Sequence, residues 1–383
     1  MCQLFDVIFR GGRVLDSERA VWEQADVAVT GKKIVKVGCL DQEQGTVEID
    51  CTGKMVCPGL IDAHLHLFTR ASDEGIPPDL CLLPNGITSA VDGGTAGVST
   101  YDAFHQINVQ NSYSSIKAYI NVSSLGMLHA RVFENTNVED YEPQRILEKI
   151  QQYRGEIIAL KLRYSLDLNP QMPVQALDRC LEIAEQAGLP LVVHVTNPPV
   201  DMGEIAAALR PGDVFCHCFQ GKGNTIIGAD GRVKPAVWEA KRRGVLFDAC
   251  NGTNNYSHDI AQAALREGFL PDFISTDGSH VFHSFYKPKC FALPYIMSKY
   301  LALGMRLEDI LQRTTRNIAL FAGWEKKGIL KEGYDADIAV FSLQEQKVDF
   351  GDFKEDLISG DALLIPQLTM KDGTIVYRNL AFT

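Results

Sequence analysis

The 383-residue chain has no uninterrupted apolar run of about 18 residues, which excludes an ordinary membrane-spanning helix. It also has no Cys-x-x-Cys pair. Its ten cysteines are Cys2, Cys39, Cys51, Cys57, Cys81, Cys180, Cys216, Cys218, Cys250 and Cys290, scattered through mostly apolar stretches. That pattern favours buried free thiols in a cytoplasm over a disulfide framework. Positive charge is the minority sign, with 37 Lys and Arg against 48 Asp and Glu. A nucleic-acid partner, which needs clustered cations, is therefore not expected. The opening MCQLFDVIFRGG contains an acid and only a short apolar run, so no secretory leader is expected. Tandem repeats and low-complexity tracts are also missing.

What is present is ample apolar material, 46% of the chain, enough for a sizeable core. The length suits a large barrel with a smaller satellite domain. The first fifty or so residues read as short strands with alternating apolar and polar positions. Residues 6–10, a Gly11-Gly12 turn and residues 13–16 make one pair, and residues 25–29 and 33–37 flank a turn at Gly31. Such alternation predicts an antiparallel, half-exposed sheet.

From residue 55 the pattern changes. Short apolar strands, at 88–92, 118–123, 158–162, 191–195, 214–218, 245–248 and 273–277, join one near residue 61. Helical stretches such as 174–187 and 257–267 lie between most of them. Eight strands with intervening helices predict an α/β fold, a (β/α)8 TIM barrel. Strand-like segments return at 335–341 and 373–377. The predicted organisation is a barrel over 54–323 and a small β-sandwich domain split between 1–53 and 324–383.

Polar residues able to ligate a metal recur at the ends of these strands. His64 and His66 are spaced i and i+2, which puts both imidazoles on one face of a strand. Alone, two such histidines are more often structural. Lys161, His194, His217 and Asp277 then end later strands, at the face where barrels of this type place active sites. Five chance placements at strand ends are improbable; the plain alternative is polar capping of strands.

Lys161 needs separate treatment, because an ammonium group has no lone pair for a metal. Burial lowers a lysine pKa and exposes a nucleophilic amine. That amine can take up carbon dioxide as a carbamate, whose two oxygens can bridge two metals. The alternative is an ion pair with Asp277 or another carboxylate. Cys216 and Cys218 flank His217, and strand alternation directs both away from it, toward the outer helices. His105, His129, His258, His280 and His283 end no comparable strand and are expected at the surface or on loops.

This set resembles the amidohydrolase superfamily. The resemblance rests on Pro58-Gly59-Leu60-Ile61-Asp62-Ala63-His64-Leu65-His66 and on Lys161, His194, His217 and Asp277. It extends to Thr315-Arg316-Asn317-Ile318-Ala319 and to Gly328 through Ile338. Ile318 stands where the family usually has proline, a loop feature that leaves the chemistry untouched. Asp92-Gly93-Gly94-Thr95-Ala96-Gly97, Lys161-Leu162-Arg163 and Ser275-Thr276-Asp277-Gly278 are most similar to its dihydroorotase-like deacetylase branch.

The resemblance implies two zinc ions held by His64, His66, Lys161, His194, His217 and Asp277, bridged by carboxylated Lys161 and a hydroxide. Cobalt or manganese would suit the same ligands. It further implies hydrolysis of an acyl, chiefly acetyl, amide or ester of a small carboxylic acid, with Asp277 carrying the proton. Arg163, two residues beyond Lys161, is placed to grip a substrate carboxylate, or else to form a salt bridge at the barrel top. The Gly93 to Gly97 loop, with Gly94 and Thr95, offers backbone N–H groups for an anion, or is simply a tight turn. Asn254 sits in a polar loop expected to overhang the pocket. A cyclic amidohydrolase of the dihydroorotase or hydantoinase type shares the same metal set. A catalytically silent scaffold is the reading from another class, opposed by the complete ligand set. Self-association into a homo-oligomer is expected.

Overall fold

The computed structural model describes residues 4–129, 132–280 and 292–382. Cys2, Cys290 and His283 lie outside the described residues. Strands β1 (Leu4–Asp16), β2 (Val21–Thr30), β3 (Lys33–Gly38), β4 (Gln44–Asp50) and β5 (Met55–Pro58) come first. Then follow β6 (Leu60–Leu65), β7 (Ile87–Asp92), β8 (Ser115–Asn121), β9 (Ile157–Arg163), β10 (Leu191–His194), β11 (Val214–Cys216) and β12 (Leu246–Asp248). The chain ends with β13 (Ile338–Gly351), β14 (Leu357–Lys371) and β15 (Thr374–Arg378).

Both chain ends build one sheet, in the order β15-β14-β13-β5-β1-β2-β3, with β4 also on β1. The Gly11-Gly12 pair does not turn the chain back. It makes a bulge inside a continuous β1, with Gly11 at φ +62° and its N–H donated to Asp26 Oδ1 at 2.7 Å. The first half of β1 pairs with β4 and its second half with β5. The expected β-sandwich is therefore a single connected sheet of eight strands that forks along β1. It buries two apolar clusters, one around Val7, Phe9, Val27, Val340 and Leu368, the other around Phe5, Ile8, Ala28 and Leu40. Because β5 belongs to this sheet, the crossover to the second unit falls at Gly59, not after residue 53.

The second sheet holds β6 to β12 in sequential order, all parallel. Its strands β6, β7 and β10 are buried at every position because both faces are covered. The covering helices follow ordinary physics. Ala176–Ala187 is rich in Ala, Leu and Glu, and buries Leu177, Cys180, Ile183 and Ala184 along one stripe. It stops where Gly188 enters the left-handed region at φ +64°.

Residues 273–278, expected as an eighth strand, form only isolated parallel bridges. These run from Phe273 to Asp248 on one side and from Gly278 to Leu65 on the other. Asp277 N donates to His64 O at 2.8 Å, and Asn251 N to Ser275 O at 3.0 Å. The segment thus touches both edges of the parallel sheet. The sheet's inner face packs Ile61, Val91, Tyr119, Ala159, Val192 and Val214, with Ile318 and Ala319 of helix Arg316–Phe321. Among the described residues no helix is long and apolar enough to cross a membrane.

Candidate metal centre

His64, His66, Lys161, His194, His217 and Asp277 converge at the C-terminal ends of the parallel strands, all buried. The rings of His194 and His217 lie 4.3 Å apart, those of His64 and His217 5.6 Å, and those of His64 and His66 5.7 Å. Asp277 Oδ1 stands 3.4 Å from His66 Nε2 and 3.8 Å from His64 Nε2. Lys161, 1% exposed, brings Nζ to 3.1 Å from His64 Nε2. No carboxylate pairs with it among the described residues, so the alternative ion pair with Asp277 is not formed.

Two of these residues leave the strand pattern to get there. His217 and Asp277 have φ of +64° and +54°. Such values are uncommon outside glycine and collect at functional sites. This overturns one expectation. Because β11 ends at Cys216 and His217 turns off it, alternation fails, and Cys216 also faces inward. Its Sγ lies 3.3 Å from His64 Nδ1. Cys218, by contrast, packs in the outer cluster as expected.

Hydrogen-bond partners fix the tautomers. Thr95 Oγ1 donates to Asp92 Oδ2 at 2.9 Å, so at 2.8 Å from His66 Nδ1 it must accept. His217 Nδ1 donates to Cys250 O at 2.8 Å, since a carbonyl only accepts. The Lys161 ammonium donates to His64 Nε2, leaving the His64 proton on Nδ1. All three imidazoles therefore turn an Nε2 lone pair toward the centre. His217 Nε2 is buried with no hydrogen-bond partner. Burial, then the Lys161 charge, pushes His64 down to about 4, and burial with His217 lowers His194 well below its usual value. Burial alone would raise Asp277, but His217, His66 and His64 hold it well below the carboxylate range.

Imidazoles facing an ionised carboxylate are a donor set suited to a divalent cation. His64, His66 and Asp277 offer ligand atoms all within 4.8 Å of one another. An orphaned lone pair at His217 fits the same purpose.

The frame around these groups is tight. A Cβ on Gly93 would stand 2.4 Å from His64 Cδ2, and one on Gly94 2.6 Å from Lys161 Cβ. Asn255 Nδ2 donates to Asp277 Oδ2 at 2.7 Å and is itself held by Thr196 Oγ1 at 2.9 Å. Asp62, pushed up to about 7 by burial, accepts from Thr276 Oγ1 at 2.6 Å. It thereby pins the segment that carries Asp277.

A cavity of about 200 Å³ opens above, lined by His64, His66, Lys161, His194 and Asp277 together with Glu74, Met127, Arg163, Lys222 and Asn254. Larger grooves, of about 430 and 710 Å³, share no residue with it and hold no such convergence. Arg163 lines this cavity and also pairs with buried Glu134. Asn254 is exposed at the cavity rim. The anion-binding role expected of Gly94 and Thr95 is corrected. Their N–H groups donate to Asp92 Oδ1 at 3.0 and 2.7 Å, and Thr95 instead orients His66. Of the other histidines, His105 pairs with Glu156, exposed His129 with Asp73, and buried His258 faces Phe350 O. His280 N donates to Glu74 O at 2.9 Å.

Asn255, Glu134 and Cys250 went unnoticed as functional neighbours, and Cys216 was expected to face away. Nothing in the sequence separates Asn255 from Asn254, and Glu134 sits in a segment without periodicity.

A mixed α/β fold with such a cluster at the strand ends defines a class of hydrolases. Residues 55–376 match the model of the amidohydrolase family, and the chain belongs to that family. A deacetylase of Agrobacterium fabrum is 32% identical over 87% of this chain and 82% of its own. A deacetylase of Enterococcus faecalis is 27% identical, covering 90% and 91%. Among solved structures, a dihydroorotase superposes with a TM-score of 0.88 at 28% identity, covering 97% of this chain and 99% of its own. An adenine deaminase gives a TM-score of 0.88 at 26% identity, covering 98% and 100%.

Proposed function

We propose that this amidohydrolase removes an acyl group, chiefly acetyl, from an amide or ester of a small carboxylic acid. The observation that carries this reading is Arg163. It ends the strand that bears Lys161 and lines the same cavity as Asp277. A guanidinium there can hold a carboxylate while the acyl carbonyl reaches the histidine cluster. The deacetylase names of the relatives point the same way.

We read residues 273–278 as the eighth strand that closes a (β/α)8 barrel, with the sheet of β1 to β5 and β13 to β15 as its satellite domain. The six converging residues would hold two zinc ions, Lys161 as its carbamate. Bound metal would supply a water of lowered pKa and a Lewis acid for the scissile carbonyl. Asp277 is the residue that moves the proton. One of its oxygens is anchored by Asn255 and the other faces the reacting side. An anchored carboxylate takes a proton and returns it to the leaving group without changing position. The Gly93-Gly94 backbone, flat against His64 and Lys161, keeps water-filled gaps out of the cluster.

Among the described residues the cysteines are free, in keeping with a reducing cytoplasm. The test is a panel of N-acetyl amino acids and O-acetyl hydroxy acids given to the zinc-loaded protein. Turnover of acetylated acids is expected. Silence toward all of them, with ready opening of dihydroorotate or a hydantoin, would replace this reading by the cyclic amidase one, which the solved dihydroorotase structure favours.

A further inference from the structure

His217 Nε2 is one enclosed, unpartnered polar atom at this centre. Another is Oε2 of Glu74. Among the described residues that line the cavity, no other side chain carries such an orphan. A buried carboxylate oxygen without a donor is costly, and it persists where something arrives to satisfy it.

Glu74 is not loosely placed. Ile76 N donates to His66 O at 2.9 Å, Glu74 N to Ser72 Oγ at 3.1 Å, and His280 N to Glu74 O at 2.9 Å. A Cβ on the next residue, Gly75, would stand 2.2 Å from Phe68 O, so the turn is folded tightly on itself. A fixed frame therefore presents the carboxylate.

Among the described residues no cation of the cavity pairs with it. Arg163 gives Nη1 to Glu134, Lys161 Nζ lies 3.1 Å from His64 Nε2, and Lys222 Nζ lies 3.1 Å from Asp167. Glu74 follows β6 and Arg163 ends β9, with β7 and β8 between them. An anionic and a cationic group thus enter one cavity from different sectors, with Asp277 and the histidines in the same space.

We propose that Glu74 binds a positively charged amino group of the substrate. The substrate class is then an acylated amino acid that keeps a second, free amine. This rests on the deacylase reading above and narrows it: Arg163 takes the carboxylate, Glu74 the ammonium, and the acyl group lies at the cluster.

The experiment compares Nα-acetyl-lysine and Nα-acetyl-ornithine with Nα-acetyl-norleucine, on the zinc-loaded protein and on Glu74→Gln. The parent chain should favour the amines in kcat/KM by roughly 10- to 100-fold, the weight of one hydrogen bond to a charged group. Glu74→Gln should bring that ratio near unity. Equal turnover of the three by the parent chain overturns the proposal, and so does a preference that Glu74→Gln retains. If no acetyl compound reacts, the deacylase reading fails by itself. Calorimetry with lysine and norleucine then decides the Glu74 assignment. Tighter binding of lysine, lost in Glu74→Gln, supports it, and equal binding overturns it.

Discussion

Thr95 donates its one hydroxyl proton in a hydrogen bond to Asp92 and therefore accepts a hydrogen bond from His66 Nδ1–H. A residue outside the ligand set thus decides which His66 nitrogen faces the centre. Partners of this kind hold ring orientation and ligand basicity as firmly as the ligands hold the metal. Replacing Thr95 by Val keeps the volume and removes the acceptor. Zinc affinity, measured by chelator competition, should weaken roughly 10- to 100-fold. Unaltered affinity would mean that His66 is oriented by packing alone.

Asn255 has the matching role for Asp277, through a 2.7 Å bond to Oδ2. In Asn255→Ala the carboxylate is free to swing. We expect kcat to fall about 10- to 100-fold while metal content and melting temperature stay near the parent values. A loss confined to KM would place Asn255 with the substrate instead.

Among the described residues Lys161 has no carboxylate partner, only the His64 imidazole, so its removal leaves no stranded counter-ion there. Lys161→Ala should lose metal and turnover together. Added acetate or propionate with zinc should restore part of both, because a free carboxylate can stand in for a carbamate. Zinc content equal to the parent chain, measured by elemental analysis, would exclude lysine as a ligand.

In the sheet built by the chain ends, Asp335 accepts from Lys33 at 2.6 Å and lies 3.1 Å from Lys327. Burial alone would raise this carboxyl, but the two lysines hold it below its usual value. A depressed folded pKa gives stability that is present above the unfolded value, about 3.9, and lost as pH falls through the folded one. Burial would lower Lys327, but Asp337 and Asp335 raise it. Its contribution is complete below about pH 10.4 and lost as pH rises through the raised value. Melting temperature should therefore drop on both flanks, and Asp335→Asn should soften the acid one. An acid limb identical in parent and variant would count against the Asp335 contribution.

The convergence of the six residues was legible because strand ends and apolar runs are local signals. Lys161 and His194 both lie at the ends of apolar strands, and alternation correctly turned them inward. The same rule failed at Cys216, since it holds only while the backbone stays extended, and His217 at φ +64° does not. The Gly11-Gly12 pair read as a turn because glycine permits either a turn or a bulge; the long β2 partner decides for the bulge. β14 was missed in full. Pro366 and a shift of register near it break the periodicity that marks shorter strands. The Gly93 to Gly97 loop read as an anion cradle because glycines leave backbone N–H groups accessible. That those of Gly94 and Thr95 donate to Asp92 is a matter of contacts within the fold.

β5 lies between β1 and β13, and only Gly59 separates it from β6, the strand that carries His64. Its antiparallel partners are Ile338 to Phe341, far downstream in the chain. One edge of β5 stays bare until they emerge, so the stretch that leads into His64 and His66 is made long before its neighbour on that side. A ribosome stalled before residue 338 would leave β5 held by β1 alone.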